Sequence, residues 1–249
     1  MRTRKLARAA TAALLLVAAL PTPLAAQQQQ ASTPAIVHTH NAAAKAVDLG
    51  NLVKEMMVLK IEGKTQHLAL WFPFEFFVAA GMDDGKNTRA GVEGEMSFLK
   101  PYVTVAVQVN RDLPDGTNLY QTESEVRARS VLKLDDGAEI APLDKVPPML
   151  TAALAVMKSV IAQQGGEDRA STFFLIFPNK TKTGKVAVDE RQKDKLTLVL
   201  KADKNFRETA FTWRTPFDAV TSVPDCPKCK AGLSAKWTYC PYCGQKISN

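Results

Sequence analysis

Tyr102-Val103-Thr104-Val105-Ala106-Val107-Gln108-Val109 places valine at every second position, with Tyr102, Thr104, Ala106 and Gln108 between. Successive side chains of a β-strand point to opposite faces, so this period of two predicts a strand with one continuous apolar face. The same alternation recurs at Met57, Leu59 and Ile61, at Leu68, Leu70, Phe72, Phe74 and Phe76, at Leu196, Leu198 and Leu200, and at Phe211 and Trp213. Pro73 cannot donate to a ladder, which predicts an edge or a bulge for the second of these runs. Thr172–Phe177 is apolar almost without a break, as suits a strand covered on both faces. Turn signals separate the runs: Asp83-Asp84-Gly85, Pro114-Asp115-Gly116, Asp135-Asp136-Gly137 and Pro178-Asn179-Lys180.

One segment breaks the pattern. After Pro147-Pro148, the residues Leu150, Leu154, Met157 and Ile161 recur at helical spacing, and Gly165-Gly166 is the expected stop. The methionines Met149 and Met157 suit core filling. Strands joined by tight turns, with a single helix, predict a mainly β fold: an antiparallel, immunoglobulin-like β-sandwich over residues 47–222. A short cysteine-bearing module follows at 224–249.

Toward the N-terminus, Arg2, Arg4, Lys5 and Arg8 precede an apolar run near Ala9–Leu20 and then Pro21-Thr-Pro-Leu-Ala-Ala26. A basic end, a short apolar middle and small residues before a cut are the layout of a secretory signal peptide, with cleavage expected after Ala26. An apolar run of about a dozen residues is short for a membrane span of roughly twenty, and no other segment approaches one. The mature chain is therefore expected to be exported, to the periplasm or the exterior, without a membrane span. Residues 27–46 lack apolar periodicity and predict a disordered linker. His38 and His40 lie in it with no carboxylate or thiol nearby, and read as solvated side chains.

The net charge of +7 does not describe the whole chain evenly. The four basic residues before Gln27 and a net of three in residues 224–249 (Lys228, Lys230, Lys236 and Lys246 against Asp225) account for all of it. The sandwich region is electrically balanced, which argues against a polyanionic partner for it.

All 4 cysteines fall in the C-terminal module, as Cys226-Pro-Lys-Cys229 and Cys240-Pro-Tyr-Cys243-Gly244. Two C-x2-C turns brought together by a short hairpin supply the four sulfurs of a tetrahedral zinc site; two disulfides or free thiols are the competing reading. Pro227 and Pro241 pre-set each turn, and Gly244 can adopt a positive φ after the second. The first turn has no glycine until Gly232, so Lys230 or Ala231 must carry it. The pattern Cys226, Pro227, Cys229, Trp237, Tyr239, Cys240, Pro241, Cys243, Gly244 resembles the zinc-ribbon family over about the last twenty-five residues. That resemblance implies a fold and one structural Zn2+ per chain, with Cys226, Cys229, Cys240 and Cys243 as ligands, and no activity. Four sulfur ligands leave no open position for water or substrate. Exported compartments oxidise thiols, whereas such a site must keep them reduced: either zinc binds before oxidation, or residues 1–26 are not an export signal, or the cysteines pair.

Catalytic chemistry is not apparent. His67 is the only histidine outside the linker and sits in an apolar strand, the acidic pairs precede turn glycines, and Thr181-Lys182-Thr183-Gly184-Lys185 lacks the first glycine of a phosphate loop. The expected function is non-catalytic: an exported protein-interaction or envelope-associated module, whose partner is another protein. Two other classes stay open. One is nucleic-acid binding by the ribbon, where Lys228, Lys230 and Lys236 interleave with Trp237, Tyr239 and Tyr242, though export disfavours it. The other is thiol redox chemistry at the two C-x2-C pairs, which lack the helix N-terminus that depresses a thiol pKa.

Overall fold

The computed structural model describes residues 47–82, 87–181, 183–221 and 225–247, with residues 160–170 described by their backbone. The signal-peptide and linker expectations, His38, His40 and the Asp83-Asp84-Gly85 turn lie outside the described residues.

Among the described residues the first element is helix α1 (Leu49–Met56), started by Asp48, whose carboxylate accepts from the Asn51 amide at 3.1 Å. Leu52, Val53 and Met56 form its buried stripe. Strands β1 (Met57–Glu62), β2 (Thr65–Phe72) and β3 (Tyr102–Asp112) pair in sequence order. The far edge of β3 is shared between β4 (Asn118–Tyr120) at one end and β7 (Thr172–Pro178) along most of its length. A second sheet runs β6 (Glu139–Ile140), β5 (Ser130–Lys133), β8 (Asp194–Leu200), β9 (Thr209–Thr215). Every pairing in both sheets is antiparallel. The protein is mainly β with two antiparallel sheets.

Register decides what meets what. His67, Ala69 and Trp71 stand opposite Val109, Val107 and Val105, so these side chains share a face. That face meets the second sheet: Trp71 lies 6.2 Å from Trp213 and 5.0 Å from Phe217, ring centre to ring centre, and His67 lies 6.4 Å from Phe211. Trp213 also donates through Nε1 to the Met56 carbonyl at 2.6 Å, tying α1 to the second sheet. On the opposite face Phe72 contacts Phe76, Phe77 and Phe174. Cover on both faces explains why Thr104 and Ala106 are buried along with the valines of β3.

Four expectations are corrected. The alternation through Phe74 and Phe76 does not continue as strand; β2 ends at Phe72 and helix α2 spans Phe74–Met82. Pro73 causes the change, since its carbonyl accepts from Phe76 at 3.1 Å while its missing N–H is no loss at a helix start. β2 is accordingly central, between β1 and β3, rather than an edge. A single helix is also too few: α3 (Arg89–Glu95), α4 (Glu123–Arg129) and α5 (Pro148–Ala170) join α1 and α2 among the described residues. α4 carries a full capping box, with Thr122 and Glu125 satisfying each other's amides, too short a signal to stand out by periodicity. Finally, α5 runs through Gly165-Gly166 to Ala170. Glycine in a helix costs about 1 kcal/mol relative to alanine, which weakens a helix without obliging it to stop.

Candidate metal centre

The two C-x2-C turns fold by the same local rule. In the first, Lys230 N donates to Cys226 O at 2.9 Å and Cys226 N donates to Ala231 O at 2.9 Å. In the second, Gly244 N donates to Cys240 O at 2.9 Å and Cys240 N donates to Gln245 O at 2.8 Å. Donor and acceptor offsets are identical, so each knuckle is a copy of the other. Both need a left-handed residue four places after the first cysteine: Gly244 at φ 72° supplies it without strain, and Lys230 at φ 60° supplies it against its own Cβ.

A bridge between Tyr239 and Lys246 and the bond from Ile247 N to Thr238 O, 2.9 Å, close the second knuckle back on itself. The sulfurs of all four cysteines then lie within 4.8 Å of one another, with Cys226 to Cys243 and Cys229 to Cys240 at 3.6 Å. No pair is bonded as a disulfide. A tetrahedral ion with metal–sulfur bonds of about 2.3 Å separates its sulfurs by about 3.8 Å, so these thiols fit a single ion with little adjustment. Cys226 and Cys240 are buried, Cys243 is half-buried and Cys229 is exposed.

The thiols do not ionise alike. Amide hydrogen bonds from Cys229 and Lys228, helped by the thiols of Cys229 and Cys243, bring Cys226 down to about 6. Cys229 receives an amide bond from Ala231, yet local loss of water within the cluster and its three sulfur neighbours, Cys243, Cys226 and Cys240, push it up to about 12. Crowding opposes ionisation of all four thiols together, and a central divalent cation would relieve that conflict.

The ribbon's apolar content is slight: Leu233, Ala235 and Ile247 are buried with Cys226 and Cys240, and Trp237 packs beside them. It leans on the sandwich through polar contacts. Asp218, just beyond β9, accepts from Ala235 N at 2.8 Å and Ser234 Oγ at 3.1 Å. Glu55 on α1 accepts from the amides of Asp218 at 3.1 Å and Ala219 at 2.9 Å, and pairs with Lys236 of the ribbon.

Other residues singled out from sequence find structural places. His67 is 1% exposed among Phe206 and Phe211, its Nδ1 unpartnered; burial, then Arg129, lowers its pKa. Thr181 N donates to Lys185 O at 2.8 Å, with Gly184 at φ 83°, as in a tight turn. Sequence reasoning missed the buried carboxylate Glu75, which Arg89 holds at 2.6 Å and Arg191 also holds. Its signal was a lone acid inside Phe74-Glu75-Phe76-Phe77. Beside it, burial raises the pKa of Glu190, although the Glu190 carboxylate accepts from the Glu75 amide at 3.2 Å. Also missed was the Arg129–Asp203 pair, 2.8 Å, with Gln121 donating to the same oxygen at 2.7 Å.

No family model matches the chain, and no curated protein matches it. Among solved structures, a DUF4426 family protein from Pseudomonas aeruginosa PAO1 is similar at a TM-score of 0.29 and 12% identity, covering 65% of this chain and 94% of that one.

Proposed function

We propose that this chain is an exported, non-catalytic protein whose β body serves as a protein-interaction or envelope-associated module, and whose C-terminal ribbon is built on one structural zinc ion. The observation that carries this reading is the convergence of four thiols, from two equivalent knuckles, to within 4.8 Å of one another. Cys226, Cys229, Cys240 and Cys243 would hold the ion, and a full set of sulfur ligands suits a folding role rather than a reactive one. The layout of residues 1–26 supports export, with zinc loaded before oxidants are met. Glu75 and Arg129, the buried charges of the sandwich, each have an ion-pair partner, which suits a structural role for both.

The test is made on native protein from the exported fraction. We expect an N-terminus near Gln27, one zinc per chain, and four thiols that react only once a chelator and denaturant are present. An intact Met1 on cytoplasmic material would remove the export reading; disulfides without metal would remove the zinc.

A further inference from the structure

Where the ribbon meets the sandwich there is an open cleft of about 650 Å³. Its walls are Met57 and Val58 of β1, Thr212 and Arg214 of β9, Lys195 of β8 and Lys236 of the ribbon, with the buried Trp213 at its base. Two features of this place bear on binding.

The first is a pair of open strand edges. β1 is the last strand of one sheet and β9 the last of the other, each paired on one side only among the described residues. An unpaired edge presents a row of backbone donors and acceptors ready to take another strand. The second is unbalanced charge. Lys195 and Arg214 stand directly opposite each other across β8 and β9, an arrangement that like charges disfavour. Neither makes an ion pair among the described residues. The cleft's own carboxylate, Glu55, is already taken by Lys236 and the amides of Asp218 and Ala219.

We propose that this cleft binds an extended acidic segment of a partner protein, which adds as a strand to the free edge of β9 and sets carboxylates against Lys195 and Arg214. This names the partner chemistry of the interaction module proposed above and rests on that reading. Alternation suits the two walls: acidic side chains of the added strand face Lys195 and Arg214, and those between them, apolar, face Met57 and Val58. A strand edge offers donors and acceptors in turn. A peptide backbone matches both, whereas a phosphodiester chain carries acceptors only, which disfavours nucleic acid here.

The experiment titrates mature protein from the exported fraction with a capped, fluorescent heptapeptide of alternating valine and glutamate. Its counterpart carries lysine for glutamate, and an oligothymidylate of equal charge serves as competitor. We expect the acidic peptide to bind and to protect amides of β9 from hydrogen exchange. The double variant Lys195→Glu, Arg214→Glu should weaken it by roughly tenfold or more and take up the lysine peptide instead. Unchanged affinity in that variant, with its melting temperature retained, overturns the proposal, as does equal competition by oligothymidylate. Photo-crosslinkers at Thr212 and at Ile61 in native protein separate the two levels of the argument. Cross-links to protein from Ile61 but none from Thr212 sink the cleft and leave the interaction module standing; cross-links from neither sink both.

Discussion

The sandwich and the ribbon are parts of one chain held by different physics. The sandwich closes over Trp71, Trp213, Phe76, Phe177, Phe211 and Phe217, all essentially inaccessible to water, and each such side chain contributes about 2–3 kcal/mol by burial. In the ribbon the buried cluster has 5 residues, and Cys226 and Cys240 among them belong to the set of four thiols that could hold a metal ion. An apolar core of that size cannot offset the entropy of ordering the segment, and under the proposed zinc site sulfur–metal bonds would supply the missing free energy. Where aromatic rings are plentiful, stability is spread over many contacts; where they are scarce, the proposed zinc site would concentrate it in one ion, and the module would fail when that ion leaves.

The sharpest way to break this contrast is to remove the metal. Cys240→Ser should abolish metal retention and unfold the ribbon, because structural zinc binding is worth about 10–16 kcal/mol in comparable small modules. Trp237, packed on the ribbon cluster, reports this through its fluorescence. The sandwich should keep its far-UV circular dichroism; losing that signal as well would mean that the two bodies are one cooperative unit.

Glu55→Ala probes the join between them. It removes the acceptor for the amides of Asp218 and Ala219 and the partner of Lys236. We expect the variant to lose about 1–3 kcal/mol, with hydrogen exchange rising around Asp218 and Ala235 while zinc stays bound. If exchange there is unchanged, the contacts through Asp218 alone hold the ribbon in place.

The smallest effect is confined to the sandwich. His67 has its pKa lowered in the folded state by burial, then by Arg129 and Lys60, with Glu62 opposing. The unfolded chain therefore binds a proton more readily. This group costs nothing above its ordinary value of 6.5 and destabilises the fold progressively as pH falls through 6.5 toward the lowered value. His67→Leu should flatten the acid side of the sandwich's stability curve, read by chemical denaturation between pH 5 and 7 with urea. An undiminished slope would place the acid sensitivity elsewhere.

Much of this architecture is legible in particular residues. The valines of 103–109 read as a strand because alternation is a local property, and the structure places them on one face of β3. The turns at Asp115-Gly116 and Asp136-Gly137 read correctly because a positive φ, 83° at both glycines, is a demand that glycine meets best. The run through Phe72, Phe74 and Phe76 misled because a buried helix is apolar all round and carries no stripe, leaving Pro73 as its only local mark. Gly165-Gly166 misled for the opposite reason: propensity weighs against a helix without deciding it.

By itself, the sequence determined what lies within reach of a few neighbouring residues: the strand faces, the turns, and the two proline-bearing knuckles with their cysteine spacing. Tertiary structure alone decided which faces meet, for instance Trp71 on Trp213, and that Glu75 is matched by Arg89 and Arg191. It alone set Lys195 and Arg214 side by side at the foot of the ribbon. The division has a physical cause. Periodicity and dihedral preference act through covalent neighbours, whereas ion pairing, ring contact and strand register act between residues whose distance along the chain says nothing of their distance in space.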